Sequence, residues 1–249
     1  MTEILKQLAP QLYSDVAQPA AKEAGKLLAN AISFLGVPFA AIGLLAKKAN
    51  LCFDNNLKSY IKKLESIPIE NRQEPLPQIA IPILQKVMYT TVEEIADLFN
   101  SLLIGASDSR QQQNIFPSFA EIVAQLSTDE AKIIKYLHNK EAIGYCVVTK
   151  IESGREKQDC LFILPNKVQL LFEDNLDLYL SDLERMGIIE SSIFASSLNL
   201  PEFEEIPYVY DFEKIKQDGS VKSISNHSYD ITSFGKAFIK ACTYDPKEI

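Results

Sequence analysis

Histidine is scarce in this 249-residue chain, and closely spaced cysteines are absent. Its two histidines, His138 and His227, and its four cysteines, Cys52, Cys146, Cys160 and Cys242, lie far apart with no CxxC pair. That dispersal matches no zinc-ligand spacing, so no metal site is expected. It is also too sparse for a disulfide scaffold and reads as reduced thiols in a cytoplasmic protein. No GxSxG elbow accompanies the serines, although a Ser-His-Asp arrangement stays open on spacing alone. There is no P-loop and no dinucleotide fingerprint, and SGREKQ at 153–158 reads as a turn. His138 at a helix end and His227 in the polar SISNHS run read as structural or solvent-facing. No catalytic residue, cofactor or small-molecule substrate is therefore expected, and the chain does not read as an enzyme. The opening MTEILKQLAPQLYSD lacks a basic segment followed directly by an apolar core, so it is not read as a secretory signal.

Positive charge is also scarce, and unevenly so. The net charge is −8. Residues 1–72 hold nine Lys and Arg against six Asp and Glu, whereas from residue 126 onward 14 basic residues face 21 acidic ones. A chain acidic overall is poorly suited to neutralising phosphates, so nucleic acid is not an expected partner. The basic excess travels with the longest uncharged run.

That run is Leu27 to Ala46, LLANAISFLGVPFAAIGLLA, flanked by Lys26 and by Lys47-Lys48. At roughly 20 residues it reaches the length of an apolar helix that crosses a bilayer. It also suits the buried centre of a helical bundle. Gly25, Ala29, Ser33 and Gly36 recur at near-helical spacing, which lets another helix approach closely in either setting. Pro38 places a break near Gly36-Val37, giving two arms each too short to span. Both readings stay open. Residues 48–67 follow as an amphipathic helix, with Leu51, Leu57, Ile61 and Leu64 inward and Lys58, Lys62 and Lys63 outward. Such a helix can lie on an anionic membrane, or its lysines can simply be a solvated face.

Residues 67–82 hold four prolines and no glycine and read as an extended, stiff connector. Ile79 to Met88 and Thr91 to Ser107 read as helices, the second with Val92, Ile95, Phe99, Leu102 and Leu103 on one side. Its Glu93, Glu94 and Asp97 crowd the first turns, where they complement the helix dipole. A polar loop at 107–114 precedes a further amphipathic helix from Pro117.

The run YTTVEEIADLFNSLLIGASD (89–108), followed by FPSFAEIVAQLSTDEAKIIKYL (116–137), resembles the Abi-alpha (abortive infection alpha) family. DVAQPAAKEAGKLL (15–28) and SIPIENRQEPLPQIAIPIL (66–84) resemble it too, so the likeness runs from about Asp15 onward. The resemblance implies a role in bacterial defence against phage and carries no catalytic residues with it. Phe116 stands where many relatives are expected to have histidine.

Ser127-Thr128-Asp129-Glu130 is a capping-box pattern opening a helix with Ala131, Ile133, Ile134 and Leu137 inward. AIGYCVVTKI (142–151) and DCLFIL (159–164) read as strands. A helix is expected over 173–186, closed by Gly187, with a strand beginning at Ile188. PEFEE at 201–205 reads as a solvated acidic loop. The segment LERMGII and the later IT-x-x-G return resemble a winged-helix scaffold. Its recognition-like helix, EDNLDLYLSDLER, carries five acidic residues and one arginine. Such a surface repels phosphate, so DNA binding is the least favoured reading.

The expected fold is mainly α. An N-terminal helical module with the apolar segment (1–67) is followed by a Pro-rich connector (68–77), a helical bundle (78–126) and a small winged-helix-like α+β domain (127–249). On one reading of function, the chain associates with the inner membrane or inserts into it through Lys26, Leu35, Phe39, Lys47, Lys48, Lys58, Lys62 and Lys63. On the other, it is a cytoplasmic adaptor that binds a protein partner, or another copy of itself, through Asp177 and Asp182 of the acidic helix.

Overall fold

The computed structural model describes residues 56, 58–87, 90–192 and 199–248. The apolar run at 27–46 therefore lies outside the described residues. The described residues fall into two compact units, those up to residue 131 with those from 240 onward, and those between 132 and 239.

The first unit is helical. Residues 58–64 form a helix, with Tyr60 and Leu64 buried and Ile67 buried just beyond it. Helices α1 (Pro77–Val87), α2 (Glu93–Ala106) and α3 (Pro117–Val123) pack together, and α4 (Thr128–Tyr136) begins here. Every residue from Leu98 to Ala106 is buried. A helix buried on all sides is the centre of its unit, so here α2 is the element the others cover. Gly105 belongs to that packing, since a Cβ would stand 2.8 Å from Ile115 Cδ1.

The proline-rich run departs from its expected extended form. Residues Ile69–Asn71 make a 3-10 turn, and α1 starts at Pro77 and carries Pro82 inside it. Pro77 sits where a missing N–H costs nothing. Pro82 costs about 3 kcal/mol. Burying Ile79, Ile83, Leu84 and Val87 returns about 1.5–3 kcal/mol for each side chain and outweighs that loss.

The second unit corrects the expectation of a mainly α chain: the fold is mixed α+β. Strands β1 (Ala142–Glu152), β2 (Arg155–Phe162), β3 (Ile189–Ser192) and β4 (Val221–Ile231) form one antiparallel sheet in the order β2-β1-β4-β3. The sheet curls into a half-barrel. With eleven residues in each of its two central strands, it is more extensive than the small winged-helix-like domain expected. A register shift beside Thr149 and Lys150 supplies local twist of the kind that curls a sheet. The β1–β2 turn uses Ser153 (φ 52) and Gly154 (φ 77), the two positive φ values that suit a tight hairpin.

The four-residue difference at β2 has a simple cause. Arg155 to Gln158 are polar and exposed, yet they pair along β1 from Glu152↔Arg155 onward. Leu164 has meanwhile left the strand for a short helix, α5 (Leu164–Val168). His227, expected in a polar loop, lies within β4 opposite Tyr145.

Helices α6 (Leu176–Arg185), α7 (Glu202–Val209), α8 (Phe212–Gln217) and α9 (Ser233–Cys242) complete the chain. One sheet face carries Cys146, packed with Ile163 and Ile206, and with Leu161, Tyr210, Phe212 and Ile224 around them. The acidic run at 201–205 is helical rather than a solvated loop. Glu202 is buried and accepts hydrogen bonds from Tyr136 Oη (3.3 Å) and Lys140 Nζ (3.4 Å).

Candidate partner-binding face

Helix α6 is placed by its own ends and by its apolar stripe. Leu176, Tyr179, Leu180 and Leu183 are buried. At the far end Gly187 takes φ 74, its N–H donates to Glu184 O (2.8 Å), and Ile188 N–H donates to Leu183 O (3.0 Å). This is a Schellman closure, and it turns the chain straight into β3. The outward side then presents Asp177, Leu178, Ser181, Glu184 and Arg185. Leu178 is 68% exposed, and just before the helix Leu171 and Phe172 are 61% and 65% exposed. Glu173 and Asp174 lie between them in a 3-10 turn. Exposed large apolar side chains and carboxylates thus occur together in the run from Leu171 to Leu178.

Beneath this helix the second sheet face carries an aromatic row. The rings of Phe162 and Tyr145 stack at 4.7 Å, those of Tyr145 and Tyr229 at 5.3 Å, and His227 lies 5.6 Å from Tyr145. Burial pushes the Tyr145 phenol up to about 12, with Tyr229, Cys160 and the carboxylates of Glu184 and Asp177 adding to it. Burial, then Glu184, Cys160 and Asp177, also raises Tyr229. Glu184 and Asp177 thus add, less than burial does, to the preference of these tyrosines for the neutral form.

Both cysteines of the unit are shifted towards the protonated thiol. Burial raises Cys146 to about 11, and its thiol donates to Asn226 Oδ1 at 3.2 Å. Partial burial, then Asp177 and Asp159, raise Cys160. Thiols so placed stay protonated at neutral pH, and a protonated thiol is a poor nucleophile. Ser225 Oγ lies 2.9 Å from His227 Nε2. No group of three or more metal-ligating side chains occurs among the described residues.

The sequence-predicted contact residues fall in three places. Lys26, Leu35, Phe39, Lys47 and Lys48 lie outside the described residues. Lys58 and Lys62 are exposed on the helix at 58–64, while Lys63 is half-buried and donates to Ser101 Oγ at 3.4 Å. Asp177 is exposed; Asp182 is half-buried and accepts from Arg185 Nε at 2.7 Å. No helix of the described residues is long and apolar enough to cross a membrane. Leu171, Phe172 and Leu178 were not singled out from the sequence. The signal available for Leu178 is its position between Leu176 and Leu180, off the three- and four-residue spacing of the buried stripe.

No curated protein matches the chain. Among solved structures it is similar to an uncharacterized protein from the hydrocarbon-degrading marine bacterium Alcanivorax borkumensis SK2. The two are 20% identical, the match covers 55% of this chain and 96% of that one, and the TM-score is 0.32. The family model for abortive infection alpha matches residues 52–242, across both units, and the chain belongs to that family.

Proposed function

We propose that this protein acts in the cytoplasm as an abortive-infection defence factor that works by binding rather than catalysis. Its contact surface for a protein partner is the outward side of α6 with the turn before it. Family membership supports the defence role. The observation that carries the mode of action is the solvent exposure of Leu178, Leu171 and Phe172 together with that of Glu173, Asp174 and Asp177. Large apolar side chains exposed close together are the kind of surface that a protein partner covers.

A plating assay with a phage against which the intact gene protects tests this reading. The double change Asp177→Lys and Asp182→Lys reverses charge on the α6 face and is expected to lower protection by about tenfold or more. Undiminished protection by that variant, expressed at the same level, would remove the face from the mechanism.

A second reading rests on Lys58 and Lys62, exposed on a helix that follows the uncharged run 27–46. There the basic helix lies on the inner membrane and the apolar run inserts on infection. Leu35→Asp with Phe39→Asp then abolishes protection, and carbonate extraction of membranes from infected cells retains the intact chain but not the variant.

A further inference from the structure

We infer that the α6 face takes a basic amphipathic helix from its partner, with apolar side chains seated on Leu171, Phe172 and Leu178 and lysines or arginines on Glu173, Asp174 and Asp177. The inference rests on the reading of α6 as the contact surface and adds the chemistry of the partner.

Charge complementarity is the first argument. No lysine or arginine occurs between Lys167 and Arg185, while five carboxylates do. Two of the five are already engaged. Asp182 accepts from Arg185, and Glu184 Oε1 accepts from Ser191 N–H at 2.8 Å. Glu173, Asp174 and Asp177 form no ion pair among the described residues. These are also the three that lie between the exposed Phe172 and Leu178 in the sequence. A cationic partner would meet unneutralised charge and apolar surface at the same place. A phosphate backbone or an anionic lipid surface would be repelled by it.

Backbone chemistry is the second argument. A strand docks by pairing with open N–H and C=O groups, and the amides inside α6 already bond within the helix. On α6 itself only side chains are on offer, and side-chain rows on a helix are matched by the rows of another helix.

The test is a titration of the full chain against a fluorescent peptide of about 18 residues, long enough for a stable amphipathic helix. It is built from Leu, Lys and Ala, with leucines at i, i+3, i+4 and i+7. Its counterpart carries Glu in place of Lys. Saturable binding of the lysine peptide is expected, with none of the glutamate peptide. Leu178→Ser and Asp177→Lys should each weaken binding by about tenfold. Raising salt from about 0.05 M to about 0.5 M should weaken it further. Both side chains are exposed, so the variants keep the fold.

Equal binding of the two peptides, no saturable binding, or unchanged binding by both variants would overturn the inference. So would a concentration-dependent dimer of the intact chain that Leu178→Ser dissolves, since a second copy would then occupy the face. If the charge-reversed α6 variant loses protection while the lysine peptide fails to bind, the face stands and the partner chemistry is wrong. If protection persists while the peptide binds, the binding chemistry stands and the proposed function of the face falls.

Discussion

At Asp108 a carboxylate with no exposed side-chain surface keeps its charge inside the first unit. Burial works against that charge. Hydrogen bonds from Arg110 and from Tyr244 Oη (2.7 Å) outweigh it and hold the carboxyl below its ordinary value. Removing one member of such a buried pair costs about 3 kcal/mol, so Asp108→Ala should lower unfolding stability by roughly that much in a denaturant titration. Tyr244→Phe removes one charged hydrogen bond and should cost about 1.5 kcal/mol. The acid dependence has a definite sign. With the folded value below the unfolded one, the contribution is fully present above the ordinary carboxylate value of 3.8 and is lost as pH falls through the lower, folded value. Asp108→Asn should flatten that acid limb; an unchanged limb would place the acid sensitivity elsewhere. Tyr60 behaves oppositely in alkali. Burial raises it to about 12, so its contribution holds below 10.0 and is lost as pH climbs through the raised value.

Among the elements, the turn into α9 shows how little sequence is needed to fix a junction, and how little of it reads as such. Thr232 Oγ1 donates to Gly187 O (2.6 Å) and accepts from Gly235 N–H (2.8 Å), joining the end of α6 to the start of α9. A Cβ on Gly235 would stand 1.9 Å from Ile188 O, a backbone atom that cannot swing away. Gly235→Ala should therefore cost more than about 3 kcal/mol in thermal unfolding, beyond an ordinary core substitution. Gly154→Ala, strained by φ 77 but with open space around it, should cost only about 1–2 kcal/mol. Comparable losses would mean that the close approach at Ile188 is relieved by a backbone shift.

Signals of this local kind were readable beforehand. Ser127 and Glu130 exchange both bonds of the expected capping box, with Ser127 N–H donating to Glu130 (2.6 Å) and Glu130 N–H to Ser127 (3.2 Å). Gly187 closes α6 as expected, and AIGYCVVTKI is β1. Strand β4 was not readable, because VKSISNHSYDI has few apolar side chains and owes its state to pairing with β1 and β3 on both sides. Glu202 was misread for the same reason. Its acidic neighbours suggest a solvated loop, and only the fold brings Lys140 and Tyr136 to it.

Across the whole molecule, the first unit is completed by the last residues of the chain. Among the described residues, those from 240 onward belong with those up to 131, and nothing in the local composition of KACTYDPKEI announces that return. The link is specific: Tyr244 reaches Asp108 beside the end of α2, and Ser107 Oγ there lies 2.9 Å from Tyr60 Oη. Backbone bonds from Gln73 N–H to Ser107 O (3.0 Å) and from Ser109 N–H to Asn71 O (2.9 Å) bring the segment before α1 to the same point. Three stretches, at Tyr60, at Asn71 and Gln73, and at Tyr244, thus converge on residues 107–109. Closing loops of such length costs chain entropy, which these backbone and side-chain bonds together offset. A chain ending at Thr243 loses Tyr244 but retains α9. Hydrogen exchange should then accelerate at the end of α2, over residues 103–108, while the amides of β1 from Ile143 to Val148 stay as protected as in the full chain. Equal acceleration in both places would mean that the two units unfold as one, and that Tyr244 supports the whole molecule rather than the unit it closes.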